Sequence, residues 1–351
     1  MAASARVGIV GGGIIGCAVA FELADRGAAV TVFDARAIAG GATQASAGIL
    51  ALYTEAHDGG AFFDLTVRGL AEYDRFVDRI RAISDIPFEY SRCGTLEIAD
   101  DESRRSELQS RLSRSWAADA GLRWLDVREL RESAPCVGAD ALGGILCETH
   151  GFVSVPSFVD ALVDGASRRG ASFRTSAAVE RIELEQSDVV VRTAAASHAF
   201  DRVVLCAGAW TPSFDPQGMS PDRIRPVRGQ LVRLHAESVV IPRIVWGRNC
   251  YIVPWRDGTV LVGATSEEVG FDERATAEGV RGLLAAAETL VPALASATFI
   301  GVRVGLRPAT RDGLPIVGPS GDPRVLYAAG HFRNGILLAP LTARLIGGYV
   351  F

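Results

Sequence analysis

The stretch Arg6-Val7-Gly8-Ile9-Val10-Gly11-Gly12-Gly13-Ile14-Ile15-Gly16, near the start of a 351-residue chain, decides how the rest is read. Its first five residues make an apolar run with the length of a buried strand. A helix-like stretch follows as far as Arg26, with Gly27 as its stop. A second apolar run, Ala29–Phe33, ends on Asp34. Strand, glycine turn, helix, strand is a βαβ opening, and G-x-G-x-x-G falls at its first turn, where that pattern has a physical meaning. Gly11 permits the tight turn, Gly13 the close approach of a phosphate, and Gly16 close packing of helix on strand. The helix N-terminus, with Ile14 and Ile15 in its first turn, offers amide donors and a positive dipole end to a pyrophosphate. Asp34, 18 residues past Gly16 and followed by Ala35, is placed to accept hydrogen bonds from a ribose diol. Its charge disfavours a 2′-phosphate, and with it NADP.

Farther along, residues 40–48 are small and polar, and 62–83 read as one long helix. From 88 to 155 the pattern changes to short strands, turns and charged helical pieces. Helix returns at 156–169 and strand at 171–174. Residues 179–184 and 189–193 have the pattern of a hairpin. The run 202–206 leads into Ala207-Gly208-Ala209-Trp210, and 325–328 repeats that strand-then-glycine design near the C-terminus. Between them, 228–235, 249–253, 259–265 and 299–305 read as strands. Residues 275–291 carry apolar side chains at helical spacing, and 334–349 form a closing helix. A nucleotide site shared among such distant segments favours FAD over NAD, and Ala42, Thr43, Ala47 and Gly48 are suited to cradle an isoalloxazine. The expected fold is α/β in an α+β two-domain arrangement. A Rossmann-like FAD-binding domain (1–84, 150–222 and 300–351) is interleaved with a mostly antiparallel β substrate domain (85–149 and 223–299).

Composition removes other chemistries. The 36 basic residues are all arginine, against 41 acidic ones, for a net charge of −5. With no lysine, the chain is no Schiff-base aldolase, pyridoxal-phosphate enzyme, P-loop NTPase or protein kinase. Mild acidity gives no footprint for nucleic acid. The six cysteines are scattered without C-x-x-C, so neither a metal site nor a disulfide framework is indicated. The short lead before the first strand and the lack of any 18-residue apolar stretch predict a cytoplasmic protein without a membrane partner. A homo-oligomer stays open.

At this point the sequence resembles the D-amino-acid oxidase superfamily of FAD enzymes, and within it most the glycine oxidases of thiamine biosynthesis. The resemblance is carried by residues 11–16, 46–50, 250–254, 261–265, 305–308 and, most specifically, 329–340. It implies that Val179 contacts the adenine side through its backbone and that Ala207, Gly208 and Trp210 border the cofactor. It implies further that Ile49, Gly305 and Arg307 meet the flavin region, and that His331, Phe332, Arg333, Asn334, Gly335, Ile336 and Leu337 line the flavin. Arg307 and Tyr251 would hold the substrate carboxylate, with Arg333 at the pocket. Residue chemistry agrees: a guanidinium fork suits a planar carboxylate. A structural ion pair for Arg307, core packing for Tyr251 and His331, and a solvated loop for Arg333 are the competing readings. No cysteine follows Cys250 and no lysine exists, so the FAD is expected to be non-covalent. Two positions depart from the glycine-oxidase pattern, Asn249 where histidine is expected and Ser266 where methionine is expected; both point to a substrate larger than glycine.

The implied reaction moves a hydride from the substrate α-carbon to flavin N5, needs no side-chain base, and uses molecular oxygen as acceptor. The substrate is then an amino acid or an N-substituted glycine. The amide end of the last helix, from Asn334 and Gly335, would steady negative charge on the reduced flavin. The alternative is an FAD-dependent D-amino-acid dehydrogenase of the same fold that passes electrons elsewhere. A third reading is a flavoprotein that turns over no amine.

Overall fold

The computed structural model describes residues 4–55, 60–117, 120–214 and 224–351. The opening is as the glycine pattern requires: strand β1 (Arg6–Val10), helix α1 (Ile14–Asp25) and strand β2 (Ala29–Phe33), with the strands parallel and in register from Arg6 opposite Ala29. Helix α1 is buried from Ile14 to Ala24, as expected of a helix apolar on every side. Its one internal charge, Glu22, meets Arg79 at 2.7 Å, and Arg79 also reaches Asp25 at 2.7 Å. A Cβ on Gly16 would lie 1.9 Å from the Gly11 carbonyl oxygen, so only glycine lets α1 pack this close.

Around this unit a six-stranded sheet runs Ile316–Pro319, Val325–Ala329, Arg202–Leu205, β1, β2, Ser172–Arg174. All neighbours are parallel except the first pair. Helix Val155–Arg168 and the C-terminal helix Gly335–Val350 pack against α1. The expected hairpin is present: Val179–Leu184 pairs antiparallel with Val189–Thr193, and Ser197–Phe200 adds a third strand.

The larger sheet has eight strands, in the order Thr298–Thr310, Ile224–His235, Thr259–Gly263, Tyr251–Pro254, Ile244–Trp246, Thr95–Ala99, Gly143–Cys147, Leu122–Leu125. Only the Ile244–Trp246 and Thr95–Ala99 pair is parallel. One face packs under helix Ala277–Leu290 through Val232, Leu234, Val260, Val262, Leu283 and Leu290. The other carries Leu231, Val253 and Leu261 against Ala47 and Phe152.

Two elements differ from expectation. The 62–83 helix is two helices, Ala61–Ala71 and Tyr73–Ile83. The break sets Gly69 against the Leu337 carbonyl and lets the buried Tyr73 hydroxyl donate to the Ile336 carbonyl at 2.7 Å. The 299–305 strand runs on to Thr310, through Arg307 and Pro308, because it pairs with Ile224–His235 along its whole length. Pro308 is tolerated because this is an edge strand.

Candidate active site

A cavity of about 590 Å³ opens where Val10, Phe33, Cys206 and Ala329 end or follow the parallel strands. Ligands of open α/β sheets bind at these carboxyl ends. The inner face of the eight-stranded sheet closes the other side through Gly229, Trp246, Tyr251, Gly263 and Arg307.

At the glycine turn, Gly11 has φ 106° and a Cβ there would lie 2.4 Å from the Cys206 carbonyl oxygen. Gly11, Gly13, Ile14 and Ile15 line the cavity with Asp34 and Ala35. Asp34 accepts from the Gly12 amide at 2.7 Å and the Arg36 amide at 2.8 Å, one on each carboxylate oxygen. These bonds fix the carboxylate and leave lone pairs for a diol. The Ile14 amide is taken by the Thr43 hydroxyl at 3.0 Å, so one helix-end donor is spent on the protein itself. Ala42, Thr43, Ala47, Ile49, Val179, Ala207, Gly208 and Trp210 complete this half of the lining.

At the other end, Arg307 projects from the edge strand through space that glycine keeps open. A Cβ on Gly229 would lie 2.3 Å from Arg307 Nη2. Arg307 Nη1 donates to the Thr265 carbonyl at 2.9 Å, which aims the fork. Tyr251 is positioned in the same way, since a Cβ on Gly263 would lie 2.3 Å from its hydroxyl, and its ring packs 5.0 Å from that of Trp246. The turn from His331 to Asn334 brings Phe332, at φ 48°, and Arg333 to the cavity. Asn334 then opens the C-terminal helix without a side-chain cap, and Asn334, Gly335 and Ile336 face the cavity. His331 is buried and shares a 2.9 Å hydrogen bond with Thr342. Burial pulls its imidazole down to about 4, which makes it a neutral packing group near pH 7. Gly305 lines the wall where the edge strand comes closest to the 42–45 turn, with a Cβ position 2.9 Å from Ala42 Cα.

Four expected site residues do not line the cavity. Gly16 and Gly48 act one layer back: a Cβ on Gly48 would lie 1.9 Å from the Val153 carbonyl oxygen. Leu337 is buried in the core on the far side of its helix. Ser266 is exposed, because the chain turns outward after Thr265; Ala264 is the residue of that loop that reaches the cavity. Asn249 does line it, at an exposed edge, and with Ala264 also borders an open groove along helix Ala277–Leu290. Trp246, Arg248, Arg36 and Phe214 line the cavity without having been expected. Trp246 reads as strand filler, and nothing local to Arg36 distinguishes it from any surface arginine. No group of His, Cys, Asp or Glu among the described residues has a metal-binding arrangement. No helix among them is long and apolar enough to cross a membrane.

A glycine turn, an acid at the end of the second strand and a helix end, all at the carboxyl edge of a parallel sheet, define a dinucleotide-binding α/β protein. A second sheet closes the same cavity with an arginine and a tyrosine, Arg307 and Tyr251. Residues 6–348 match the family described as DAO, FAD dependent oxidoreductase, and the chain belongs to that family. The glycine oxidase of Geobacillus kaustophilus is 33% identical over 98% of this chain and 92% of its own length. A crystal structure of glycine oxidase from that organism superposes with a TM-score of 0.93, covering 99% of this chain and 95% of the other. Iminodiacetate oxidase from Chelativorans sp. BNC1 is 29% identical, with a TM-score of 0.90 over 98% of this chain and 95% of the other. The protein is therefore an FAD-dependent oxidoreductase of the glycine oxidase type. The residues present suit FAD: the glycine turn leaves no room for a Cβ at Gly11, and the cavity runs unbroken from Asp34 to Arg307.

Proposed function

We propose that this chain oxidises the CH–NH bond of glycine or an N-substituted glycine, with oxygen as acceptor. In balance, amino acid, oxygen and water give a 2-oxo acid (glyoxylate from a glycine), ammonia or an amine, and hydrogen peroxide. Bound FAD supplies the two-electron acceptor at N5 and the reaction with oxygen. The observation that carries this reading is Arg307, a guanidinium aimed into the cavity by the Thr265 carbonyl, with Tyr251 on the neighbouring wall.

In this reading Arg307 grips the substrate carboxylate through two parallel charge-assisted hydrogen bonds, and Tyr251 fixes its tilt. The α C–H is thereby aimed, and positioning supplies much of the rate. The buried His331 is too weakly basic to serve as the proton acceptor, so the substrate amine enters neutral and drives imine formation with its own lone pair. The uncapped helix end at Asn334 and Gly335 faces the cavity, and its amides would steady negative charge on a flavin held there. Asn249 and Ala264, at the border of the open groove, leave room for a substituent on nitrogen. Iminodiacetate, named for one relative, is an N-substituted glycine. The same reading assigns the six-stranded sheet to the cofactor and the eight-stranded sheet to the substrate, with Thr298–Thr310 serving both.

The test is anaerobic bleaching of the flavin by glycine, sarcosine, longer N-alkyl glycines, iminodiacetate, D-alanine and D-proline, followed by a peroxide assay in air. Bleaching by an N-substituted glycine with peroxide released on aeration is the expected result. Reduction without peroxide would point to a dehydrogenase instead. Arg307→Ala should keep FAD and lose about a hundredfold or more in kcat/KM; a variant that still bleaches at the parental rate overturns the assignment.

A further inference from the structure

Two cavity residues, the unexpected Arg36 and the expected Trp210, sit at the Asp34 end, and both are held from the side of the eight-stranded sheet. The Arg36 guanidinium makes two parallel hydrogen bonds to Glu273, at 2.9 and 2.8 Å, and lies 4.7 Å over the Trp210 ring. The Trp210 ring in turn packs 5.6 Å from that of Phe271. Neither Phe271 nor Glu273 lines the cavity. Both belong to the segment between strand Thr259–Gly263 and helix Ala277–Leu290.

That segment is fastened at its root. The Arg228 amide donates to the Glu267 carbonyl at 2.8 Å, and the Glu267 amide returns to Arg228 at 3.0 Å. The Glu267 carboxylate also accepts from the Thr265 hydroxyl at 2.6 Å and from Gln230 Nε2 at 2.8 Å. The buried Arg228 side chain spans Glu267 and Asp272, the latter at 3.1 Å. At the far end Gln230 accepts from the Thr276 amide at 2.9 Å. A span tied at both ends and crossed by buried charge-assisted bonds is stiff. Phe271 is 55% exposed, and its ring contact is the one with Trp210.

We propose that residues 271–273 form a clasp on the cofactor: Phe271 and Glu273 position Trp210 and Arg36 at the adenosine end of FAD, so the substrate-side sheet supplies part of the cofactor's affinity. The proposal rests on reading the Asp34 end as the adenosine end. The Arg36–Glu273 pair is substantially exposed, and exposed pairs contribute little to folding. Its effect belongs in cofactor retention. The Thr265 carbonyl that aims Arg307 lies at the root of the same segment.

The test measures FAD release from the holoenzyme as the rise of free flavin fluorescence, then titrates the FAD-stripped full chain with FAD and with ADP. Glu273→Gln should speed release and raise both dissociation constants roughly fivefold, and Phe271→Ala roughly tenfold. Added salt should speed release from the parent and much less from Glu273→Gln. Glu268→Gln, whose partner Arg225 lies outside the cavity lining, should match the parent. Asp34→Ala separates the two readings. If it leaves ADP binding intact, the adenosine end is misassigned. If Asp34→Ala weakens ADP binding while Glu273→Gln and Phe271→Ala stay within twofold of the parent, the clasp is overturned. Equal losses of thermal stability in the FAD-free and loaded forms of both variants would also overturn it.

Discussion

Arg307 owes its position to an absent atom. Gly229, on the neighbouring strand, leaves the volume that the guanidinium occupies, and a methyl group there would sit 2.3 to 2.5 Å from three of its atoms. Gly229→Ala is therefore expected to swing the fork off its aim without touching the glycine turn. FAD content should stay at the parental level while KM for the amino acid rises roughly tenfold or more, as read by steady-state kinetics on the purified variant. A variant with unchanged KM would show that the fork has another stable aim. Glycine performs the same service at Gly263 for Tyr251. The motif around Arg307 is readable along the chain, whereas the glycine that makes room for it lies 78 residues away. Ser266 shows the limit from the other side. Its place in a motif predicted a pocket residue, yet the backbone turns outward one residue earlier.

Among the elements, β1, α1 and β2 were legible because each obeys a local rule: a buried apolar strand, a glycine turn, and a helix apolar on all faces. Their spacing tolerates no added atom. Gly11→Ala asks for φ near 106° and places a methyl 2.4 Å from the Cys206 carbonyl oxygen. The variant should purify without flavin, as its absorbance spectrum will show, and should lose about 2 kcal/mol or more of stability from backbone strain alone. The break at Glu72 was not legible, because the residues on either side keep helical character and the reason for it is the end of another helix. Only with Tyr73 donating to Ile336, and Gly69 against Leu337, does a bend there gain anything. The edge strand was read short for a related cause. Pro308 looks like a stop until its place on an edge strand is known.

For the whole molecule, buried histidines set the response to acid. Burial holds His331 down at about 4; burial, with Arg92 adding to it, holds His150 at about 3. Both folded values lie below the unfolded value of about 6.5, so the unfolded chain binds more protons across the interval between. Their contribution to stability is complete above about pH 6.5 and is lost as pH falls toward 4, at up to about 1.4 kcal/mol per pH unit for each. Glu267 acts in a lower window. Burial alone would raise it, but hydrogen bonds from Arg228, Thr265 and Gln230 bring it to about 2, so its contribution is lost only below about 4.5. Urea midpoints measured between pH 7 and pH 5 should thus fall with acid, and His331→Gln should flatten that fall. An unchanged slope in the variant would mean that His331 charges freely in the folded state.

The chain by itself determined the βαβ opening, the glycine turn inside it, and arginine as its one strongly basic side chain, because these depend on residue type and spacing within a few turns of backbone. Tertiary structure decided which distant pieces share a wall. It set Thr95–Ala99 beside Ile244–Trp246, placed the Thr265 carbonyl against Arg307, and brought Glu273 onto Arg36 across 237 residues. No local period encodes those meetings. They follow from strand register and from which faces must be buried together, and a chain commits to both only when it folds as a whole.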